Sequence, residues 1–244
     1  MKVVAMIPIK LNSERLPNKN LKRFDDGTPL CQLVFNTLSE VKEIDEIYCY
    51  CSSPKIKEYL TGRVKFLKRN ESLDTFETKR NDFIRAFLND VDTDILVLSH
   101  VTSPFLRADT VKQCINAVKS GRYDSAMAAV KFHEFLWKDG KSFNFDSSNL
   151  PRTQDLPKMY KETGSCLVTR ADDFMKTGNY VGKKTFFCEV DSIEETDIDY
   201  PQDFEIANAI YMYLLPKQGG AITALICDNC GNVFVAELEK REAA

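Results

Sequence analysis

No apolar run in this sequence approaches the roughly 20 residues that a membrane-spanning helix needs. The opening Met-Lys-Val-Val-Ala-Met-Ile-Pro has a single cation and an apolar run that Pro8 ends. It makes a poor signal peptide, and a cytoplasmic protein is expected. Positive charge is not in excess. The formal net charge is −3, so nothing suggests nonspecific binding to nucleic acid or to a membrane surface. No Gly-x-x-x-x-Gly-Lys-Ser/Thr occurs, which excludes a P-loop protein. No Gly-x-Gly-x-x-Gly follows the first strand, which argues against a dinucleotide enzyme. Cys227 and Cys230 form half of a zinc knuckle, and no second pair with that spacing exists to complete it. Two free thiols at a hairpin tip are the expected reading, ahead of a site shared between chains. A redox role is disfavoured, because the motif lacks a strand-to-helix setting.

Hydrophobic residues make up 43% of the chain and aromatics 11%, enough for a sizeable core. Among the eight cysteines, Cys49, Cys51, Cys114 and Cys166 sit in apolar strand or helix patterns. That favours reduced, buried thiols over a disulfide framework.

Strand-like and helix-like segments alternate. Residues 3–9 read as a buried strand, followed by a polar loop in which Pro17 and Asn18 forbid a regular helix. A helix is expected over residues 30–41, with Thr28 as its cap and Pro29 at its first position. Strands follow at 47–51 and 64–67, with a short helix from Pro54 to Leu60 between them. Residues 69–77 read as polar loop and 79–89 as helix. The continuous apolar run 95–98 suits a central parallel strand covered on both faces. Asp109 is expected to cap the next helix, which Gly121 ends, and a strand follows at 125–130. Such units in series argue a mainly parallel sheet with helices on its faces.

The pattern then changes. Residues 135–145 read as a hairpin around Lys138-Asp-Gly-Lys141. A loop at 147–158, a strand at 165–169, a helix at 171–177 closed by Gly178 and a strand at 186–190 come next. An acidic loop, 191–199, leads into a helix over 201–215, expected to bury Phe204, Ile206, Ala207, Ile210 and Tyr211 or Leu214. Residues 216–244 read as a linker and a hairpin-like tail.

Three loops would lie where consecutive strands end, which is where open α/β sheets bind ligands. The first carries Lys10, Asn12, Ser13, Arg15, Lys19 and Asn20, cations and amides that suit a polyanion. The second holds His100, Thr102, Ser103, Pro104 and Arg107. The third holds Asp197-Ile-Asp199. In an extended segment that spacing puts both carboxylates on one side and turns Ile198 to the core. Two hard oxygen ligands suit Mg²⁺, which commonly takes one or two carboxylates plus substrate phosphates. A basic loop with paired carboxylates suggests metal-assisted transfer on a nucleoside triphosphate.

With these residues in hand, the chain resembles the CMP-sugar synthetases, cytidylyltransferases that activate 3-deoxy-2-keto sugar acids such as sialic acid and Kdo. The resemblance covers about residues 1–214, in order. Ile7-Pro-Ile-Lys10 is similar to the family's opening Pro-Ala-Arg, and Asn12-Ser13 with Pro17-x-Lys19-Asn20 is similar to the sialic branch. Thr102-Ser-Pro104-Phe-Leu-Arg107 resembles that branch's Pro-Thr-Ser-Pro-Leu-Arg. Arg152-x-Gln-Asp-Leu-Pro157 with Gly164, and Asp197-Ile-Asp199-x-x-x-Asp203, complete the set.

The resemblance implies a nucleotide-diphospho-sugar transferase (Rossmann-like) fold within residues 1–215. It implies the reaction CTP plus sugar acid to CMP-sugar plus pyrophosphate, with Mg²⁺. By that analogy Lys10, Arg15, Lys19 and Asp199 carry catalysis. Lys10, Asn12, Ser13, Arg15, Lys19, Asn20, Arg69 and His100 bind the nucleotide. His100, Thr102, Ser103, Arg152, Gln154 and Lys161 bind the sugar, and Asp197 and Asp199 hold the metal. It also implies a homodimer built by residues 131–160, in which Trp137, Phe143 and Phe145 are expected as core or dimer contacts. Some positions depart from the pattern: Lys10 where Arg is usual, Glu14 where the sialic branch has Lys, His100 for Gln, and Lys161 and Thr163 near the sugar. An acceptor such as Kdo, or a catalytically weakened nucleotide-binding homologue, are the alternatives.

Overall fold

The computed structural model describes residues 1–13 and 15–215 in full, and beyond them the backbone of Ala224–Ile226 and Val233–Val235. Strand β1 (Val3–Ile9) lies near the centre of the main sheet, with every residue but Pro8 buried. Its neighbours are β2 (Glu46–Cys51) and β4 (Ile95–Leu98), both parallel to it, and β3 (Val64–Lys68) pairs with β2, again in parallel. The sheet continues through β8 (Met159–Arg170), β5 (Ser125–Phe132) and β9 (Thr185–Glu189), giving the order β3-β2-β1-β4-β8-β5-β9. Only β8 runs against the rest, antiparallel to β4 and β5. The mainly parallel sheet expected from the alternation is therefore present.

Helices cover both faces. Helices α1 (Leu30–Glu40) and α3 (Ala108–Lys119) pack on one, through Val34, Phe35, Leu38, Val111, Ile115 and Val118 against Val3, Ala5, Ile7 and Val97. Helices α2 (Arg80–Asp90) and α4 (Ala171–Thr177) pack on the other, through Ile84, Phe87 and Phe174 against Val4, Met6 and Leu96. Helix α5 (Pro201–Leu214) closes a third cluster in which Phe204 stacks on Phe24 at 5.2 Å. The hairpin β6 (Trp137–Lys138) and β7 (Lys141–Ser142) has its turn at Asp139 and Gly140, both at positive φ as a tight primed turn requires. Gly178 closes α4 at φ 68, as expected.

Several local expectations are corrected. Thr28 does not cap α1: its hydroxyl and amide are taken by Asp26, at 2.8 and 2.9 Å, and Pro29 occupies the cap position. A carboxylate two residues back is a nearer partner than the helix amides. Asp109 lies in the first turn of α3, and the cap position belongs to Arg107, whose amide donates to Glu194 of a distant loop at 2.9 Å. The strand expected at 165–169 extends back to Met159. Its outer half is polar and carries Gly164 at φ 72, so no alternating pattern marks it. On α5, Ile206 and Leu214 are exposed, because the helix packs through Phe204 and Ala207 alone as fully buried contacts. Trp137 and Phe143 are exposed and do not belong to the core of the chain; Phe145 meets Phe135 and Trp137 edge-on.

The six cysteines among the described residues are all buried free thiols. Strands β10 (Ala224–Ile226) and β11 (Val233–Val235) pair antiparallel, as a hairpin-like tail requires. Cys227, Cys230 and Glu14 lie outside the described residues, and so does the linker at 216–220. No described helix is long and apolar enough to cross a membrane.

Candidate active site

The loop after β1 folds back on itself through Pro17-Asn18. Asn18 takes the left-handed conformation, φ 55, which Asn tolerates better than most residues, and a single 3-10 turn, Lys19–Leu21, follows. Leu16 is buried beneath the turn and accepts the Lys19 amide at 3.0 Å. Asn20, also buried, donates its side-chain amide to the Lys10 carbonyl at 2.7 Å and so ties the two ends of the loop together. The result turns Lys19 inward, leaving its side chain 12% exposed.

This loop lines a groove beyond the carboxyl ends of β1 and β4. One lobe, about 190 Å³, is bordered by Pro8, Asn20, Arg69, Phe83, His100 and Thr102. The other, about 260 Å³, is bordered by Asn12, Ser13, Arg15, Leu16 and Phe76. Lys10 and Lys19 belong to both. Their combined size suits a small-molecule site.

The acidic loop completes the groove. Ile198 is fully buried, as the Asp-Ile-Asp spacing predicts, and its amide donates to the Thr102 carbonyl at 2.8 Å. Lys19 Nζ reaches the Ile198 carbonyl at 2.7 Å and Asp199 Oδ1 at 3.0 Å. Arg15 grips Asp199 with both terminal guanidinium nitrogens, at 2.9 and 3.0 Å. The surrounding protein atoms push the Asp197 carboxyl above its ordinary range, Asp199 and Asp203 add to the rise, and the Thr102 hydroxyl and Lys19 oppose it. Partial burial and Arg69 lower the Lys10 ammonium, which donates to the Thr75 carbonyl at 2.5 Å. Arg15 is held above its usual value by Tyr200 and Asp199.

Burial, with Arg80 and Lys19 near by, pushes the His100 imidazole down to about 4, so it is neutral at pH 7. The unfolded chain, at its ordinary 6.5, takes up the proton first. Stability is then intact above pH 6.5 and falls as the pH drops toward 4, by up to about 1.4 kcal/mol per pH unit. Thermal melting at pH 7 and pH 5 is expected to show a smaller acid loss for His100→Gln than for the unsubstituted protein.

The structure thus gathers Lys10, Asn12, Ser13, Arg15, Lys19, Asn20, Arg69, His100 and Thr102 around one groove, with Asp199 bonded to Arg15 and Lys19 and Asp197 beside Thr102 and Lys19. Ser103 is only 1% exposed and does not line the groove, and its hydroxyl is without a partner. Arg152 pairs with Asp155 at 2.7 Å in a short exposed turn that also carries Gln154. Lys161 pairs with Glu195 and lines a separate hollow with Phe132, Glu134, Leu136 and Tyr160. Arg152, Gln154 and Lys161 do not border the groove. Thr163 is buried and bonded to the Ala128 carbonyl at 3.1 Å.

Phe76 and Phe83 line the groove and Arg80 acts on His100, and none of the three was expected there. A hint exists for Phe76, a lone aromatic in an otherwise polar loop that is left exposed. Nothing in the sequence marks Arg80, which bonds Glu162 of β8 and the Tyr180 hydroxyl.

A family described as Cytidylyltransferase matches residues 4–224. The N-acylneuraminate cytidylyltransferase of Streptococcus agalactiae serotype III (strain NEM316) is 24% identical over 218 residues, which cover 84% of this chain and 52% of that protein. The CMP-N,N'-diacetyllegionaminic acid synthase of Legionella pneumophila subsp. pneumophila (strain Philadelphia 1) is 25% identical, covering 86% of this chain and 96% of that protein. The chain spans about half the length of the first curated relatives it matches. A solved structure of CMP:2-keto-3-deoxy-manno-octonic acid synthetase complexed with CTP superposes with a TM-score of 0.65 at 16% identity, covering 88% of this chain and 100% of that one. That likeness concerns the fold alone: a mostly parallel sheet between helices. With the family match running over nearly the whole described fold, the chain belongs to the cytidylyltransferase family.

Proposed function

We propose that the chain transfers a cytidylyl group from CTP to the anomeric hydroxyl of a 2-keto-3-deoxy sugar acid of the nonulosonic, sialic-like class, releasing pyrophosphate. The observation that supports this most is the pair Lys10 and Lys19, shared by both lobes of a groove, with Asp199 bonded to Lys19 and Asp197 beside it. A triphosphate needs several fixed cations, and the lobe that also holds Asn12, Ser13 and Arg15 supplies them with hydrogen-bonding side chains between. In this reading the lobe with Asn20, Arg69 and His100 takes the nucleoside, and His100 and Thr102 face the acceptor.

The sugar's anomeric oxygen forms a bond to the α-phosphorus as the bond from that phosphorus to the α–β bridging oxygen breaks. Negative charge grows on the bridging and leaving oxygens. Lys10, Arg15 and Lys19 beside them stabilise that charge more in the transition state than in bound CTP. Neutral His100 can donate or accept a hydrogen bond without adding charge. The acceptor's hydroxyl proton passes to solvent water.

The residues fit Mg²⁺. Among the described residues no three His, Cys, Asp or Glu side chains gather to hold a metal alone. Asp197 and Asp199 supply two hard oxygen ligands, leaving the rest to phosphate and water, as Mg²⁺ usually requires. Crowding of Asp197 by Asp199 and Asp203 is the repulsion a cation would relieve. When bound, Mg²⁺ would neutralise charge on the phosphates.

A homodimer is part of this proposal, supported by the exposed aromatics Phe135, Trp137 and Phe143 on the projecting hairpin. A reducing, cytoplasmic setting is supported by the buried free thiols.

The test is pyrophosphate release from CTP with Mg²⁺ across sialic, legionaminic, pseudaminic and Kdo acids. Release with one acid, lost in Asp199→Ala, is expected. Release with Kdo alone would move the acceptor to the Kdo class. Silence with every acid, despite CTP binding, would leave a nucleotide-binding homologue instead.

A further inference from the structure

Arg15 holds Asp199 in a way that bears on how a metal reaches it. Nη1 of Arg15 lies 2.9 Å from Asp199 Oδ2, and Nη2 lies 3.0 Å from Oδ1. Lys19 Nζ shares Oδ1 at 3.0 Å. Among the described residues, Oδ2 has Arg15 as its one cationic partner. The backbone that carries Asp199 is firmly placed. The Asp199 and Tyr200 amides both donate to Asp203 Oδ2, at 2.9 and 2.7 Å, and Ile198 is anchored on Thr102. Arg15 is the more exposed of the two cations, its side chain 54% exposed against 12% for Lys19, and it rests on the Tyr200 ring at 5.2 Å.

Two cations on one carboxylate disfavour a third, by like-charge repulsion and by occupying the oxygen lone pairs. A triphosphate in the lobe that Arg15 and Lys19 line offers both cations more charge than one carboxylate does. We propose that Arg15 reserves Asp199 for a divalent cation that arrives with its nucleotide: the ligand-free protein refuses the free cation, and the triphosphate admits it by drawing Arg15 off Oδ2. This rests on the groove being the CTP site. Because binding free energies are reciprocal, the nucleotide then binds more tightly with the cation than without it.

The probe is Mn²⁺, whose free form is counted by electron paramagnetic resonance, titrated into ligand-free protein. Arg15→Gln is expected to bind Mn²⁺ about tenfold more tightly than the unsubstituted protein, since Oδ2 is released while Lys19 still holds Oδ1. Adding Asp199→Asn to that variant is expected to remove the gain. Arg15→Lys keeps the charge and is expected to stay near the unsubstituted protein, which separates charge from any disturbance of the loop. Equal Mn²⁺ affinity in the Arg15→Gln and unsubstituted proteins would overturn the proposal, as would a gain that survives Asp199→Asn. Calorimetric binding of CTP in EDTA is measured in parallel. No CTP binding there overturns the groove reading together with nucleotide-driven release; intact CTP binding without the Mn²⁺ gain overturns the role of Arg15 alone.

Discussion

Replacing Lys19 with methionine is expected to lower cytidylyl transfer by roughly 10²–10³-fold, the loss typical of removing one preorganised charge from a transition state. Lys19 is the cation best placed for this. Its side chain is 12% exposed, so its field is less screened by water than that of Arg15 at 54%. It also borders both lobes of the groove and fixes the acidic loop through the Ile198 carbonyl at 2.7 Å. A residue that only bound substrate would raise KM and spare kcat; Lys19 is expected to depress kcat, because leaving-group charge peaks after binding. Steady-state pyrophosphate release separates the two. Lys19→Arg is expected to recover part of the rate, since charge is restored in a longer, planar group. A methionine variant with unchanged kcat would remove Lys19 from the chemistry.

The largest stability loss is expected for Arg69→Met, about 3–5 kcal/mol, the cost of breaking a buried ion pair from one side. Arg69 is 1% exposed. Its Nη2 reaches Asp74 Oδ1 at 2.6 Å and the Ile9 carbonyl at 2.9 Å, and Nη1 reaches the Tyr50 carbonyl at 3.2 Å. It therefore joins the ends of β1 and β2 to the loop that follows β3. Methionine fills similar volume but leaves Asp74 with the Ser52 hydroxyl as its remaining side-chain partner, and two strand-end carbonyls without theirs. A loss of this size in a chain of 244 residues corresponds to a drop in Tm of roughly 10 °C. Urea unfolding of Arg69→Met measures it directly. The same change is expected to weaken CTP binding. Asn12 and Lys10 bond the carbonyls of Asp74 and Thr75, so the groove wall is held by the segment that Arg69 anchors. A stability change under 1 kcal/mol would mean that the pair is solvated.

Arg69 also shows how a site residue differs from its expected role. The family resemblance implies a nucleotide contact, and Arg69 does border the groove. Its two Nη atoms, however, are engaged by two backbone carbonyls and a carboxylate, so much of its part is to hold the wall. Ser103 illustrates the same limit. Its place in Thr102-Ser-Pro104 suggests a substrate contact, yet the turn that leaves Thr102 half-buried on the groove buries Ser103. Neighbouring residues in a tight loop face opposite ways, and spacing alone does not say which way.

Local chemistry was legible wherever the chain itself sets the geometry. Asp139-Gly140 gives a primed turn, Gly178 a helix end, and Asp197-Ile-Asp199 a buried centre between outward carboxylates. The apolar runs of β1 and β4 announce strands covered on both faces, and the strand–helix alternation announces a mainly parallel sheet. Period and turn chemistry are properties of short segments, so they survive without knowledge of the fold. What only the tertiary structure decided is which distant groups meet. The reversed strand β8 hides its outer half because its partners, Lys131 and Phe132 of β5, and not its own pattern, make it a strand. Thr28 and Asp109 yield the cap positions to Pro29 and Arg107, Thr28 bonding Asp26 and the Arg107 amide bonding Glu194, and Arg15 finds Asp199 across 184 residues of chain. Polar side chains take the partner that packing of the apolar core brings within reach. That core is set by the whole sheet, and no local segment encodes it.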